Sequence, residues 1–192
     1  MGLLTPYLGL WRYRVVRPFL QGDILDIGCG QAQIVSFLAP KQRYVGIELR
    51  ARQVAALRGR LPAYAFFRRD IEAEPLALGD QHFDTVLMLA VIEHLKEPAR
   101  ALAEAARHLH PEGHVIVTTP TARGQRWHGW GARLGLFSTY AAKDHCQTFN
   151  GDGLRLLFHG AGLHLVHYRL FQWGGNQLAV GSLLPSGGDR PA

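Results

Sequence analysis

The chain has 192 residues, of which 47% are hydrophobic and 19% charged, with a formal net charge of +6. This composition is typical of one globular domain. No apolar run reaches the roughly 18–20 residues that a membrane span needs, and two cysteines, Cys29 and Cys146, are too few for a disulfide framework. The N-terminus has no basic segment before its apolar residues, so we expect no signal peptide and a cytoplasmic protein.

The positive charge comes largely from arginine, and six arginines fall between positions 50 and 69. A basic cluster of this kind can mark a nucleic-acid surface. This cluster lacks the alternation of basic and aromatic side chains that a base-stacking platform requires. We therefore interpret the charges as solvated faces of a helix and a strand end, and we expect no nucleic-acid partner. The six residues are Arg50, Arg52, Arg58, Arg60, Arg68 and Arg69.

Short apolar β-rich runs alternate with amphipathic helical stretches along the chain, which is the pattern of a parallel sheet covered on both faces. The last two runs are close in sequence and predict an antiparallel hairpin. The expected strands cover residues 24–27, 44–47, 64–67, 83–89, 115–119, 163–170 and 177–184. The expected helices cover 31–39, 50–60 and 152–161, with one more beginning at Pro98. Residues 111–113, Pro-Glu-Gly, predict the turn before the fifth strand.

These elements predict one α/β domain over residues 1–192, with a Rossmann-like sheet of seven mostly parallel strands, an antiparallel edge and helices on both faces. Residues 1–20 would form an N-terminal helical extension. Residues 120–149 break the alternation and have no clear period, although they follow the fifth strand directly. Long irregular segments inside a compact domain are often functional, so we interpret this one as a substrate-side insertion or lid.

The strongest local signal is the segment Asp26-Ile27-Gly28-Cys29-Gly30-Gln31-Ala32, between the first strand and the first helix. A glycine-rich turn there lets a ligand lie against bare backbone and against unpaired N–H groups. Gln33 occupies the place of the third glycine of the dinucleotide fingerprint, and the absence of a Lys-Ser or Lys-Thr pair excludes a P-loop. Cys29 stands where a small residue is needed, and we expect its thiol to be inert.

Acidic residues follow the next two strands. Glu48 ends the second strand, 20 residues after Gly28, where a carboxylate can accept two hydrogen bonds from the ribose of an adenosine cofactor. Asp70 lies just past the third strand and is placed to accept the adenine amino group, while Ile71 covers the ring. The fourth strand ends at Leu89-Ala90. Because open α/β sheets bind ligands at the carboxyl ends of their strands, these segments predict one common site.

Together the segments resemble those of the class I S-adenosylmethionine-dependent methyltransferases, in the branch that contains ubiquinone-biosynthesis and other small-molecule enzymes. The resemblance covers about residues 23–183, and it implies S-adenosyl-L-methionine as the cofactor. One departure is Ala32, where a third glycine is common. The matching segments are LDIGCGQA, VGIE, RRDI, FDTVLMLAVIEHL, LHPEGHVIVTTP and DHCQTFNGDGLRLLFHGAGL. The residues implied to contact the cofactor are Asp26, Gly28, Cys29, Gly30, Glu48, Leu49, Asp70, Ile71, Leu89 and Ala90.

Two absences narrow the acceptor that this resemblance implies. Amino-group methyltransferases of nucleobases typically carry an Asn- or Asp-Pro-Pro-aromatic sequence after the fourth strand, where this chain has Ala90-Val91-Ile92-Glu93. The cytosine C5 enzymes need a nucleophilic cysteine in that region, and this chain has none there. We therefore expect a small-molecule or lipid-like acceptor. For its methylation we favour oxygen over nitrogen or carbon.

A hydroxyl acceptor benefits from a general base, for which histidine is suited. His94 and His145 are the candidate catalytic residues, and Glu93 is close to the first of them. The alternative is structural: the Glu93-His94 pair fixes the loop or begins the next helix. We expect no metal site. Two other function classes stay open, an NAD-dependent oxidoreductase, which Gln33 disfavours, and a non-catalytic binding protein with a methyltransferase-like fold.

Apolar residues in two segments offer walls for such an acceptor. Trp127, Trp130, Phe137 and Tyr140 supply apolar area in the predicted lid, with packing onto the domain as the alternative. The N-terminal run over residues 7–14 predicts a second wall or an amphipathic contact with a membrane surface. We expect no obligate protein partner.

Overall fold

A computed structural model describes residues 5–126 and 147–184 of the chain. Its seven strands are β1 (Ile24–Ile27), β2 (Tyr44–Glu48), β3 (Ala65–Arg68), β4 (Phe83–Leu89), β5 (Leu109–Pro120), β6 (Leu163–Phe171) and β7 (Asn176–Leu183). They form one sheet in the order β3-β2-β1-β4-β5-β7-β6. The first five strands of this order, β3, β2, β1, β4 and β5, pair in parallel with their neighbours. Strand β7 pairs antiparallel with both β5 and β6. The predicted Rossmann-like α/β fold with an antiparallel edge is confirmed.

The helices have end signals that are visible in the sequence. Pro98 occupies the first turn of its helix, where its missing N–H costs nothing. The Asn150 side chain accepts a hydrogen bond from the Gly153 N–H at 2.8 Å and so begins the last helix. The helices are α1 (Thr5–Val16), α2 (Ala51–Arg60), α3 (Pro98–Ala106) and α4 (Gly151–Gly160), and short 3-10 turns cover Arg17–Phe19, Gln33–Phe37 and Ile92–His94.

Alternate residues of the central strands bury apolar side chains on both faces of the sheet. Leu25 and Ile27 of β1 pack in a cluster that includes residues of α3 and α4. Ile24 of the same strand packs in a second cluster, which includes residues of α1 and α2. Because a strand turns successive side chains to opposite faces, this division shows that helices cover both sides. Both faces of the central strands are therefore covered, and the loops lie at the ends of the strands.

Two sequence predictions about local structure are wrong. The expected turn at 111–113 lies inside β5, because the sheet register shifts there: Phe83 pairs with Leu109, whereas Thr85 pairs with His114. The extra residues form a bulge, and a Cβ at Gly113 would lie 3.0 Å from two carbonyl oxygens of β4. The expected helix over 31–39 is only the 3-10 turn Gln33–Phe37, because Ala32 takes a left-handed backbone conformation, with φ of 50°, and Leu38 is extended.

Part of the predicted lid falls outside the described residues. Residues 120–126 and 147–149 are described, and 122–126 of these are helical. His145 and the four aromatic residues of the lid lie outside the described ranges, so the lid stays a prediction. Within residues 5–126 and 147–184, no helix combines the length and the apolar character that crossing a bilayer requires.

Candidate active site

The residues predicted to bind a ligand follow four neighbouring strands at one edge of the sheet. The chain places β2 and β3 on one side of β1, and β4 and β5 on the other. The strand order therefore reverses between β1 and β4, and open α/β sheets bind their ligands beyond the carboxyl ends of the strands at such a point. The register confirms the shared edge, because Ile27 pairs with Ile47 and Glu48 pairs with Arg68.

The turn after β1 exposes backbone at this edge of the sheet. The N–H groups of Gly28 and Cys29 donate to the Ile47 carbonyl at 2.8 and 2.9 Å, which holds the turn against β2. Gly28 has φ of +74°, and a Cβ there would lie 2.6 Å from the Val91 side chain. At Gly30 a Cβ would have only the Gly28 carbonyl oxygen, 4.0 Å away, as a neighbour. The space next to Gly30 is therefore open for a ligand to lie against the backbone.

Glu48 is buried at the end of β2, and backbone groups fix its carboxylate. One oxygen, Oε2, accepts from the Gly30 N–H at 3.1 Å, and Oε1 accepts from the Arg50 N–H at 3.0 Å. The Arg50 side chain also pairs with Oε1 at 3.2 Å, but it is largely exposed, so this ion pair contributes little. The carboxylate is thus oriented at the glycine turn independently of any ligand.

Asp26 is buried beneath the turn and accepts a hydrogen bond of 2.7 Å from the Tyr44 hydroxyl. Burial raises the pKa of Asp26 to about 7, and the Tyr44 hydrogen bond opposes this shift. Because the folded-state pKa is raised, protonation of Asp26 stabilises the fold at low pH, and this contribution is lost as pH rises through about 7. Burial also raises the pKa of the Cys29 thiol, as expected for an inert cysteine.

The other predicted cofactor residues line the same edge. Asp70 turns back on its own loop, and its Oδ1 accepts from the Glu72 N–H at 3.0 Å. Ile71 is buried, whereas the Leu49 side chain is exposed. Leu89 ends β4, and Ala90 follows with φ of 57° and donates its N–H to the Thr118 carbonyl at 2.8 Å. The structure brings these residues to one edge, and their contacts with a cofactor stay predictions.

The 3-10 turn after β4 separates the two members of the Glu93-His94 pair. His94 is exposed, whereas only 1% of the Glu93 surface is accessible. Burial raises the pKa of Glu93, and its own backbone hydrogen bonding and the charges of His94 and Arg12 oppose this shift. Glu93 Oε2 is buried and has no hydrogen-bond partner in the part of the chain that the structure describes. The inward group of the pair is therefore the carboxyl.

Further buried polar groups at this edge belong to α1 and β5, and sequence reasoning missed them. Arg12 Nε is buried and has no hydrogen-bond partner among the described residues, and the buried Thr119 hydroxyl lies beside the Glu93 carboxyl, whose pKa it lowers as a hydrogen-bond donor. Both residues are close enough to Glu93 to act on its ionisation. Buried polar side chains are usually hydrogen-bonded, so an unsatisfied guanidinium nitrogen and carboxyl oxygen at one edge make this edge a candidate site for a polar ligand. The signal available in sequence was the position of Thr119 at the end of the fifth strand.

Residues 10–168 match the family described as methyltransferase domain. The chain belongs to this family. Among its curated relatives, a ubiquinone biosynthesis O-methyltransferase from Alkalilimnicola ehrlichii is 38% identical over 100 residues, which cover 50% of this chain and 40% of the relative. A probable S-adenosylmethionine-dependent methyltransferase from Mycolicibacterium smegmatis is 32% identical over 99 residues, covering 51% of this chain and 38% of that protein. The matched region is thus less than half of the length of these relatives.

Solved structures share the fold at low sequence identity. The methyltransferase in a Haloferax volcanii complex with the Trm112 methyltransferase activator has a TM-score of 0.74 at 17% identity, covering 93% of this chain and 91% of that one. The glycopeptide N-methyltransferase MtfA, solved with S-adenosyl-L-homocysteine, has a TM-score of 0.66 at 16% identity and covers 90% and 86% of the two chains. The predicted family is confirmed, and S-adenosylmethionine is supported as the cofactor.

Proposed function

We propose that the chain transfers a methyl group from S-adenosylmethionine to a hydroxyl oxygen of a small-molecule or lipid-like acceptor. The observation that carries this proposal is the buried carboxyl of Glu93. It follows β4, at the edge that also holds the glycine turn and Glu48. A carboxyl with a raised pKa and an unpaired oxygen, beside the predicted cofactor site, is suited to accept a proton.

The residues of the edge fit this cofactor. The open space at Gly30 admits a ligand against the backbone. The Glu48 carboxylate has about four lone-pair sites, and Oε2 uses only one of them, for the Gly30 N–H. It therefore keeps capacity for a ribose hydroxyl, while Asp70 and Ile71 follow the neighbouring strand for the adenine. When bound, the cofactor supplies a methyl group on a sulfonium that is already activated.

The residues of this chain have two tasks in such a transfer. They align the acceptor oxygen with the methyl carbon, and they remove the acceptor proton. In such a transfer Glu93 would take the proton of the acceptor hydroxyl, and a bond from the acceptor oxygen to the methyl carbon would replace the carbon–sulfur bond. The products are a methyl ether, S-adenosylhomocysteine and a neutral carboxyl, so that atoms and charge balance. Arg12 and Thr119 would hold the acceptor beside Glu93.

Glu93 is preferred here to the two histidines for the role of base. His94 is exposed at the turn where Glu93 is buried, so its side chain faces away from the interior. His145 lies outside the described residues and stays a candidate from the sequence. The Glu93 carboxyl also has neighbours suited to a hydroxyl acceptor, because Thr119 and Arg12 offer hydrogen-bond donors.

The names of two relatives and the sequence support the proposed acceptor class. One relative is named a ubiquinone biosynthesis O-methyltransferase and another, from Azoarcus, a trans-aconitate 2-methyltransferase. Both names indicate small acceptors, and the chain lacks the nucleobase motif after β4. The predicted lid, 120–149, would close over the acceptor. Because the Haloferax methyltransferase was solved with an activator, activity is also assayed in the presence of a candidate protein partner.

A screen of acceptors tests the proposal directly. The protein is incubated with S-adenosylmethionine and a panel of phenols, catechols, carboxylates and amines, and formation of S-adenosylhomocysteine is measured. We expect conversion with a hydroxyl compound and a product heavier by one methylene unit. Conversion only with amines would reject the oxygen target, and binding without conversion of any acceptor would favour the non-catalytic alternative. Cofactor trapped during purification, identified by mass, distinguishes both from an NAD enzyme.

Gly30→Ala should weaken S-adenosylmethionine binding because its Cβ would fill the open space beside the turn. With the cofactor bound, this space would be packed, and one extra carbon in packed space typically costs about 1–3 kcal/mol. Calorimetry measures this loss of binding free energy directly. The matched control is Gly79→Ala: both glycines have positive φ, +53° and +60°, and neither would bring a Cβ within 3.9 Å of another atom. The two variants should lose similar stability, and only Gly30→Ala should lose affinity. Equal affinities in both variants would place the cofactor elsewhere.

A further inference from the structure

Exposed apolar side chains gather where α1 meets the turn between β6 and β7. Tyr7, Leu10 and Trp11 recur at helical spacing and lie on one face of α1. Trp11 packs edge-on against Trp173 of the turn, with the ring centroids 5.0 Å apart. Tyr7 is 72% exposed and Trp173 is 74% exposed. We call these residues, Tyr7, Leu10, Trp11 and Trp173, the aromatic patch.

The turn that presents Trp173 has a strained backbone. Gln172 and Trp173 both have left-handed backbone conformations, with φ of 51° and 54°, which bulky side chains rarely adopt. Hydrogen bonds hold this shape: the Gln172 side-chain amide donates to the Leu8 carbonyl at 2.6 Å, and the Thr121 hydroxyl donates to the Gly174 carbonyl at 2.7 Å. Strain that the surroundings impose in this way is typical of functional positions. In this turn the strained backbone places the Trp173 side chain on the surface, exposed to solvent.

The composition of the patch matches the surface of a bilayer. Tryptophan and tyrosine prefer the boundary between lipid headgroups and acyl chains, since each combines a large apolar ring with a polar atom. Arg14 continues the same face of α1 one turn beyond Leu10 and is exposed, as is Arg17. The chain has a formal net charge of +6, and basic residues beside an apolar face are attracted to anionic lipid.

A stable protein interface is the less suitable occupant. Such interfaces typically bury about 20–30 residues on each side. The aromatic patch offers four apolar side chains, one of which, Trp11, is already half-buried. Peripheral binding to a bilayer can use a smaller apolar area, because the attraction of basic residues for anionic lipid adds to the insertion of a few aromatic anchors. We propose that the aromatic patch, together with Arg14 and Arg17, docks the protein on the surface of a membrane that contains anionic phospholipid.

Vesicle co-sedimentation of the full chain tests this docking without cofactor or acceptor, so the outcome is independent of methyl transfer. Vesicles of phosphatidylcholine are compared with vesicles that also contain phosphatidylglycerol, over a range of salt. The double variant Tyr7→Ser/Trp173→Ser removes the anchors. The matched control is Leu156→Ser/Val166→Ser, because these residues are 75% and 52% exposed outside the patch. Circular dichroism establishes that each variant is folded.

We expect the wild type and the control to pellet with the anionic vesicles, and less so as salt increases. The patch variant should bind at least about tenfold more weakly, and Arg14→Glu should weaken binding to anionic vesicles while neutral vesicles stay poor binders. Failure of the wild type to pellet at low salt, or equal binding by the two double variants, would overturn the proposal. So would a dimer in solution that the patch variant dissociates, because the patch would then join two copies.

Discussion

Glu93→Gln is expected to lower turnover by roughly 10²–10⁴-fold, the usual contribution of a general base, with no change in S-adenosylmethionine affinity. The amide has nearly the shape of the carboxyl but cannot accept the acceptor proton. Steady-state kinetics on the acceptor found by screening, with calorimetry for the cofactor, measure the two quantities separately. Wild-type turnover in the variant would leave alignment of the reactants as the whole mechanism.

The pH dependence of turnover distinguishes a base from a structural residue. Burial raises the pKa of Glu93, so the carboxyl ionises at a higher pH than an exposed glutamate. Turnover should rise as pH increases through that pKa, and the Gln variant should lose this limb of the profile. His94→Ala serves as the neighbouring control: because His94 is exposed, the variant should keep the limb. The limb should move to higher pH, since the His94 charge no longer lowers the pKa of Glu93. Loss of the limb in His94→Ala alone would transfer the role to the histidine.

The same shift predicts the effect on stability. A carboxyl whose folded pKa lies above its unfolded value stabilises the fold below the unfolded pKa, and loses that contribution as pH rises through the folded pKa. At a pH above the folded pKa the ionised Glu93 carboxylate therefore opposes folding, and there Glu93→Gln should be at least as stable as the wild type. Urea unfolding at pH 5 and pH 8 measures this. A variant with reduced stability at both pH values and normal kinetics per folded molecule would show that Glu93 is only structural.

The sheet could be predicted from the sequence because its strands are short apolar runs with clear ends. Each of the seven runs is a strand in the structure, and the hairpin edge is antiparallel as expected. The turn expected at residues 111–113 could not be corrected from local chemistry, since Pro and Gly favour turns and bulges alike. The prediction of a helix over 31–39 was also wrong because local chemistry does not show the backbone conformation. Ala32 follows the glycine turn in a left-handed conformation, which an alanine in the sequence does not indicate.

Some residues of the candidate site could be predicted from the sequence and others could not. Glu48 and the glycine turn could be predicted because their position depends only on where a strand ends. Which member of the Glu93-His94 pair faces inward depends on the phase of a three-residue 3-10 turn, which sequence periodicity does not give. Arg12 is separated from Glu93 by about eighty positions, and only the packing of α1 brings them together. The residues proposed to bind the acceptor could therefore be identified only from the structure.

Glu48→Ala is expected to weaken binding of both S-adenosylmethionine and S-adenosylhomocysteine by on the order of 2–3 kcal/mol, the usual loss for charge-assisted hydrogen bonds to a ligand. In dissociation constants this is a change of about 30- to 140-fold. Calorimetry with both ligands measures it, and the two losses should be equal because the ribose is common to both. A larger loss for one ligand would mean that Glu48 acts near the sulfonium instead.

The effect needs a control for the backbone, because Glu48 also accepts hydrogen bonds from the N–H groups of Gly30 and Arg50. Its removal loosens the glycine turn even without a ligand. Glu104→Ala is the matched variant: Glu104 is part-buried on the same protein and accepts from the Leu76 N–H at 3.0 Å, but it lies on α3 away from the predicted cofactor site. Both variants should unfold at lower urea concentration than the wild type, whereas only Glu48→Ala should bind the cofactor weakly. Glu48→Gln separates the contribution of the charge from that of hydrogen-bond geometry to cofactor affinity, since it keeps one acceptor oxygen and loses the charge. An affinity between those of the wild type and Glu48→Ala would show that orientation and charge both contribute to ribose recognition.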